Sequence, residues 1–159
     1  MYIVKTTSKK KLEVKIVPLN DFDFEHLKEE RYFFNWKVER NHEVYKLCIK
    51  GNNDILGVIS LEKIPAEWRI HIRLLTVSIE NKGKSKVYER IAGCLIAFVA
   101  KTAVLDYGEM ACISLRPKSQ IAQHYINKYK MIITGMTLSI EVPEILNLIN
   151  QYYDDEKER

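Results

Sequence analysis

The chain has 159 residues, of which 47% are hydrophobic and 29% are charged, and its formal net charge at pH 7 is +4. This balance predicts one globular domain over residues 1–159 and excludes disordered, collagen-like and low-complexity proteins. The first 19 residues alternate polar and apolar side chains, unlike a secretory signal. The three cysteines are unevenly spaced among apolar residues, which predicts buried thiols in a reducing cytoplasm rather than disulfides or a metal site.

The first part of the chain predicts strands around a short helical region. Asn20, followed by acidic residues, is typical of a helix start, and the polar residues 37–43 predict a loop. Residues 51–54 have the composition of a hairpin turn. Alternation and apolar runs predict three strands, at residues 12–17, 44–49 and 55–64.

A fourth predicted strand, at residues 68–79, changes its apolar phase near its middle. Ile70 and Ile72 share one phase with Leu74, and Leu75, Val77 and Ile79 continue in the other phase. Such a slip predicts a β-bulge near residues 74–76, and bulges often occur where a strand parts from its neighbour to admit a ligand. An irregular edge strand is the alternative.

The rest of the chain alternates helices and strands. Residues 80–86 predict a polar loop before a helix at residues 88–107, which is apolar almost all round and ends at Gly108. Its apolar stretch is shorter than a membrane span, so a buried core helix is expected. Further elements are a strand at 110–115, a helix after Ser119, one strand at 131–142 and a helix at 144–153. The order predicts an α/β (α+β) fold: a mixed sheet with a bulged fourth strand and helices on both faces.

Most familiar catalytic motifs are missing from the sequence. It contains no G-x-S-x-G, Walker loop, C-x-x-C or H-E-x-x-H motif, and the four histidines lack the spacing of metal ligands. One candidate site remains, where the loop with Lys82, Lys84 and Lys86 leads into a helix. Free backbone N–H groups and the positive end of a helix suit a pyrophosphate, whereas solvated loop lysines are the alternative.

At this point the sequence resembles the GCN5-related N-acetyltransferase (GNAT) family. The stretch Leu75-Thr76-Val77 is similar to that family's fourth-strand ending. The family's pyrophosphate motif, Q/R-x-x-G-x-G/A, can be aligned with residues 80–85 or with residues 87–92, and the second alignment is preferred. In the preferred alignment Arg90 replaces a glycine, and an arginine could bind phosphate through its side chain. The resemblance implies acetyl-CoA binding by Leu75, Thr76, Val77, Lys86, Val87, Tyr88, Glu89, Arg90, Ile91, Ala92, Gly93 and Ser119.

A second match lies at residues 119–129, which resemble the family's N-x-x-A-x-x-L-Y segment. Ala122 is in place, Tyr125 stands one position before the motif's tyrosine, and Ser119 replaces the asparagine. The resemblance implies that the Tyr125 phenol protonates the leaving thiolate, and packing of Tyr125 in the core is the alternative. The general base stays open among three residues of the neighbouring strands, Glu62, Glu67 and His71.

The resemblance implies an N-acetyltransferase that moves an acetyl group from acetyl-CoA to a small-molecule or peptide amine by direct transfer. A catalytically silent relative that binds acyl-CoA or a protein partner is the alternative. The lysine clusters are not interleaved with aromatic residues, which argues against nucleic acid as a partner. No membrane partner is expected, and a homodimer is left open.

Overall fold

A computed structural model describes residues 1–117 and 121–153. Within them nine strands form one mixed sheet, in the order β6-β1-β2-β3-β4-β5-β7-β9-β8. The sheet and its helices confirm the predicted α+β class. In chain order the elements are β1 (Tyr2–Lys5), β2 (Lys11–Pro18), α1 (Asp21–His26), α2 (Glu29–Tyr32), β3 (Glu43–Ile49), β4 (Gly57–Ile64), β5 (Arg69–Val77), β6 (Tyr88–Glu89), α3 (Ile91–Tyr107), β7 (Cys112–Leu115), α4 (Ala122–Tyr129), β8 (Ile132–Thr134), β9 (Thr137–Glu141) and α5 (Glu144–Tyr153).

The chain divides into two compact units, each built from separate stretches of sequence. Unit 1 contains Met1–Ser60 and Leu74–Ile96. Unit 2 contains Leu61–Arg73 and the described residues from Ala97 onward. Because each unit draws on distant parts of the sequence, each is described below by itself.

Unit 1 holds the antiparallel strands β1, β2 and β3 and the short β6. Residue Tyr2 pairs with Glu13, and Val14 pairs with Ile49. The Asn20 side chain accepts a hydrogen bond from the Asp23 backbone N–H (2.8 Å), and the Asp23 carboxylate accepts one from the Asn20 backbone N–H (3.0 Å). These two bonds form a capping box, which confirms the predicted helix start. The helices cover an apolar core made of Phe24, Leu27, Tyr32, Trp36, Val44, Cys48, Ile55 and Val58.

The start of α3 differs from the prediction, and one strand of unit 1 was not predicted. The predicted helix at residues 88–107 begins only at Ile91, because residues 88–89 are a strand that pairs with β1. Strand β1 itself was not predicted, because four residues with one fully buried side chain, Ile3, give too short a pattern. The end of α3 is as predicted, with Gly108 just beyond it in the left-handed conformation (φ +59°).

Helix α3 is the core helix that the sequence predicts. The segment Ile91–Met110 is long and apolar enough to cross a membrane by length and composition alone. However, Cys94, Leu95, Ile96 and Ala97 are fully buried inside the protein. Packing within the fold therefore accounts for the apolar composition of α3.

Unit 2 pairs β5 with β7 in parallel, from Arg69–Cys112 to Ile72–Leu115. Strand β9 pairs antiparallel with both β7 and β8. The single strand predicted at residues 131–142 was wrong, because Gly135 (φ +62°) turns the chain and makes a hairpin of β8 and β9. The final helix is present as predicted, and it buries Ile145, Leu148 and Tyr152.

The predicted change of phase in β5 does not appear in its burial. Within unit 1, Thr76 and Ser78 are buried, whereas Ile79 is 53% exposed. The Ser78 hydroxyl donates to Glu80 Oε1 (2.9 Å), so a polar side chain is accommodated where the apolar pattern placed none. Pairing with β7 covers only the first four residues of the strand. The bulge itself therefore stays a prediction.

The cysteines are free thiols, as predicted. Cys48 and Cys94 are buried, and Cys112 is half-buried. Burial raises the pKa of all three thiols, and raises that of Cys94 to about 12. These thiols are consequently protonated and unreactive at neutral pH.

Candidate functional site

The residue just before α3 has the backbone conformation of a glycine. Arg90 has φ +84°, and its carbonyl accepts the helical hydrogen bond of the Cys94 N–H (2.9 Å). This is the position at which the preferred alignment of the pyrophosphate motif has a glycine. Gly83, the glycine of the alignment at residues 80–85, also has a positive φ (+82°), so both alignments place a left-handed residue at the glycine position.

Strand β1 holds Arg90 in this conformation. The Arg90 Nε donates to the Tyr2 carbonyl (3.2 Å), and its guanidinium lies over the Tyr2 ring at 4.1 Å from the centroid. The Cys94 thiol donates to the same carbonyl (3.3 Å). The Arg90 side chain is thus used to fix the entry of α3 against β1.

The first turn of α3 also depends on a glycine in β4. A Cβ atom at Gly57 would lie 2.7 Å from Ile91 Cγ2 and 2.9 Å from Leu95 Cδ1. Ordinary carbon–carbon contacts are about 3.5–4.0 Å, so only glycine lets the helix approach this closely. Sequence reasoning missed Gly57 because its φ is ordinary and no turn requires it.

The buried Asn81 side chain fixes the loop before α3. Its Nδ2 donates to Ser78 Oγ (2.9 Å), and its Oδ1 accepts from the Tyr88 N–H (2.8 Å). Thr6 of the β1–β2 turn holds the far end of the loop, because its hydroxyl donates to the Lys86 carbonyl (2.7 Å) and its N–H donates to the Val87 carbonyl (2.9 Å). The basic loop is therefore attached at both ends.

An arginine on α2 adds a further attachment. The Arg31 guanidinium binds both oxygens of Glu80 and forms an ion pair with Asp54 (2.7 Å). The hydrogen bonds from Arg31 hold the pKa of Glu80 below its ordinary value. The contact between Arg31 and Glu80 was not predicted, because the two residues are 49 positions apart in the sequence and no local pattern connects them.

The other predicted acetyl-CoA residues of unit 1 lie on these same elements. Leu75 and Val77 are half-buried at the end of β5, and Thr76 between them is buried, with its hydroxyl bonded to the Val77 carbonyl (3.1 Å). Lys86, Tyr88 and Ala92 are half-buried, Val87 and Glu89 are exposed, and Ile91 and Gly93 are buried. The structure thus brings the predicted residues 86–93 together at the start of α3.

The predicted proton donor lies in unit 2. Tyr125 is half-buried on α4, and its ring contacts His124 and Tyr129, with centroids 5.8 and 5.9 Å away. Burial raises the pKa of its phenol, so the hydroxyl is protonated at neutral pH. Ser119 lies outside the described residues.

The three alternatives for the general base, all in unit 2, differ in their surroundings. Arg69 binds Glu67 (2.8 Å), and Arg73 lies 3.5 Å from Glu62. His71 Nδ1 shares a hydrogen bond with Ser114 Oγ (2.8 Å). Burial, with Arg69 nearby, lowers the pKa of His71, so its imidazole is neutral at neutral pH.

A cavity of about 550 Å³ opens elsewhere in unit 2, around Trp68, Met110 and Glu141. Among the predicted site residues that the structure describes, only Glu67 lines this cavity. Across residues 1–117 and 121–153, no group of three or more His, Cys, Asp or Glu side chains is placed to hold a metal ion.

Comparison with known proteins identifies the fold. No model of a protein family matches the chain, and no curated protein matches it. Solved structures do match the chain. One is a protein from Desulfovibrio desulfuricans that is described as an acetyltransferase of the GNAT family. It has a TM-score of 0.62 at 11% sequence identity, and the match covers 81% of this chain and 99% of that one. AtaT in complex with acetyl-methionyl-tRNAfMet has a TM-score of 0.60 at 16% identity, over 86% of this chain and 99% of that one.

A third match has a bound coenzyme. N-acetylglutamate synthase from Neisseria gonorrhoeae, in complex with coenzyme A and L-arginine, has a TM-score of 0.59 at 15% identity. The match covers 85% of this chain and 34% of the synthase. The chain therefore has the GNAT fold, which is the fold that the sequence resemblance implies.

Proposed function

We propose that the protein is an N-acetyltransferase that transfers an acetyl group from acetyl-CoA directly to an amine. The observation that carries this proposal is the left-handed Arg90 immediately before α3, at the position of a glycine in the GNAT pyrophosphate motif. The GNAT fold supports it, and so does the coenzyme A bound to the N-acetylglutamate synthase neighbour. In this proposal Arg90 adopts the backbone conformation that the motif's glycine provides in the family.

The start of α3 fits a pyrophosphate on chemical grounds. A left-handed residue followed by helical ones directs successive backbone N–H groups to one side, a concave arrangement that binds anions. The first N–H groups of the helix, at Ile91, Ala92 and Gly93, have no carbonyl partner within the helix, and the helix dipole adds positive charge there. Lys86, held through its carbonyl by Thr6, adds a cation nearby.

Direct transfer forms a C–N bond and breaks the thioester C–S bond, and acetyl-CoA supplies the activated acetyl group. The amine must be neutral to attack, and a base or water takes its proton afterwards. We assign the Tyr125 phenol to protonate the departing thiolate, whose pKa is about 8.5. Because burial raises the pKa of Tyr125, the phenol is present as the donor over the whole neutral range.

Acetyl-CoA binding is tested by thermal unfolding. A hundredfold excess over the dissociation constant stabilises by about 2.7 kcal/mol, which corresponds to about 5–11 °C for a chain of this length. Lys86→Glu should reduce this shift, most strongly at low salt, and Lys28→Glu, an exposed lysine on the connection before α2, should not. If acetyl-CoA raised the melting temperature equally in both variants and in the parent, the basic loop would not be part of the binding site.

The role of Arg90 is tested by Arg90→Gly. Glycine adopts a positive φ without strain, so the variant keeps the backbone arrangement and removes the guanidinium. We expect acetyl-CoA affinity to stay within about threefold of the parent. A loss of more than about tenfold would instead make the guanidinium the phosphate ligand.

Catalysis is tested by Tyr125→Phe in an assay with a panel of polyamines, aminoglycosides, amino acids and peptide amines. Loss of a general acid lowers turnover by about 100- to 10,000-fold while acetyl-CoA affinity changes little. Unchanged turnover, with chemistry rate-limiting, would refute the role of Tyr125. A parent that binds acetyl-CoA but acetylates no member of the panel would favour the catalytically silent relative.

A further inference from the structure

The fold brings together two lysine clusters that lie far apart in the sequence. Lys5 ends β1, the β1–β2 turn carries Lys9 and Lys10, and the loop before α3 carries Lys84 and Lys86. Strand β1 pairs with β6, with Lys5 opposite Tyr88, and Thr6 bonds to the carbonyls of Lys86 and Val87. Adjacent strands are about 4.8 Å apart, so the two clusters form one surface, here called the lysine surface.

Two acidic residues lie near the lysine surface: Glu80 of the loop, which Arg31 binds, and Glu89 of β6, which lies opposite Val4. Lys5, Lys9, Lys10 and Lys84 are exposed and Lys86 is half-buried. None of the ion pairs among the described residues of unit 1 involves these five side chains. Unit 1 also carries the whole net charge of +4, since the Lys and Arg residues of unit 2 are matched in number by its Asp and Glu residues.

The composition of the lysine surface is that of a phosphate-binding surface. The hydroxyl residues Thr7, Ser8 and Ser85 are exposed in the same two connections as the lysines. Lysines together with serine and threonine hydroxyls are the groups that contact nucleic-acid backbones.

We infer that the lysine surface binds nucleic acid through the sugar–phosphate backbone, without reading its sequence. The sequence argued against this partner because the lysine clusters are not interleaved with aromatic residues, which stacking on bases requires. Binding through the sugar–phosphate backbone requires no stacking, and the pairing of β1 with β6 brings the two clusters together. The inference does not depend on acetyl transfer, because it rests only on the charge and the backbone contacts of these two connections.

Fluorescence anisotropy with a labelled RNA hairpin and a duplex DNA of the same sequence tests the inference. If all five lysines contact phosphates, the logarithm of the binding constant for the duplex falls with the logarithm of salt concentration with a slope of about −4. The test variant combines Lys9→Glu and Lys84→Glu. It should weaken binding more than about tenfold at ~50 mM salt and reduce the size of the slope by about 2.

The chain offers a matched control, Lys130→Glu combined with Lys28→Glu. It has the same change in charge, and Lys130 shares with Lys9 an exposed, left-handed position (φ 59° for each). The control should change affinity less than about twofold, and Lys9→Arg combined with Lys84→Arg should keep both affinity and slope. Melting temperatures establish that each variant is folded.

Three results would overturn the inference. The first is equal loss in the test and control variants, which would indicate a general effect of net charge. The second is weaker acetyl-CoA binding with unchanged binding of both nucleic acids, which would assign the lysines to the coenzyme alone. The third is binding to phosphatidylcholine–phosphatidylglycerol vesicles without binding to either nucleic acid, which would make the partner an anionic membrane. Binding to the RNA or to the DNA probe supports the inference, and the probe that binds more tightly identifies which nucleic acid is the partner.

Discussion

The close approach of α3 to β4 makes Gly57 a sensitive position. In Gly57→Ala the new methyl would lie 2.7 Å from Ile91 Cγ2 and 2.9 Å from Leu95 Cδ1, about 1 Å closer than an ordinary contact. Leu95 can move its terminal methyl, whereas Ile91 Cγ2 lies next to the backbone of the first turn of α3. Overpacking of this kind costs about 1–3 kcal/mol, which predicts a melting temperature lower by about 2–12 °C.

A double-mutant cycle tests whether Ile91 is the cause. Ile91→Ala alone should cost about 2–5 kcal/mol, because it empties a buried site, but it also removes the methyl that the new Cβ would meet. Gly57→Ala combined with Ile91→Ala should therefore be more stable than additivity predicts, by about 0.5–3 kcal/mol. Ile91→Val keeps a methyl group at the Cγ2 position, so it serves as the matched control and should show additivity.

The free energies come from urea unfolding followed by the fluorescence of the two tryptophans. Acetyl-CoA affinity, measured on the same proteins, should fall in Gly57→Ala, since the first turn of α3 is displaced. It should recover in part in the combination with Ile91→Ala. Additive free energies in both cycles would refute the argument that glycine is needed at this position for the approach of α3.

Two further predictions concern side chains inside the units. Asn81→Ala leaves the partners of both its hydrogen bonds unsatisfied, so the free energy of unfolding, measured in urea, should fall by about 1–3 kcal/mol. Because burial lowers the pKa of His71, the unfolded chain binds that proton more readily, and stability should fall as the pH drops below about 6.5. His71→Gln should flatten this fall between about pH 7.5 and 5.5, and equal pH slopes would contradict it.

Local signals in the sequence were sufficient to predict most of the helices and strands. The Asn20 capping box and the glycine after α3 were predictable because each depends on residues within one helical turn. The alignment of the motif at residues 87–92 proposes a site at the start of α3, and that site stays a prediction. These features need no knowledge of the rest of the fold.

Features that depend on distant partners were not predictable. Tyr88 and Glu89 were assigned to a helix because nothing nearby indicates that β1 pairs with them. Arg31 binds Glu80 across 49 residues, and Thr6 binds the carbonyl of Lys86 across 80. Hydrophobic pattern also gave the wrong inward residues at the end of β5, because Thr76 and Ser78 are buried with hydrogen-bonded partners instead.

The replacement of a motif glycine by Arg90 is explained by energies of similar size. A left-handed conformation costs a residue with a side chain about 1–2 kcal/mol relative to its normal one. The guanidinium gains about 0.5–2 kcal/mol over the Tyr2 ring and about 1 kcal/mol from its hydrogen bond to the Tyr2 carbonyl. In the proposed alignment the motif position needs a backbone conformation, and β1 makes that conformation accessible to arginine. On this proposal, a motif search that demands glycine at this position passes over a chain whose backbone keeps the conformation.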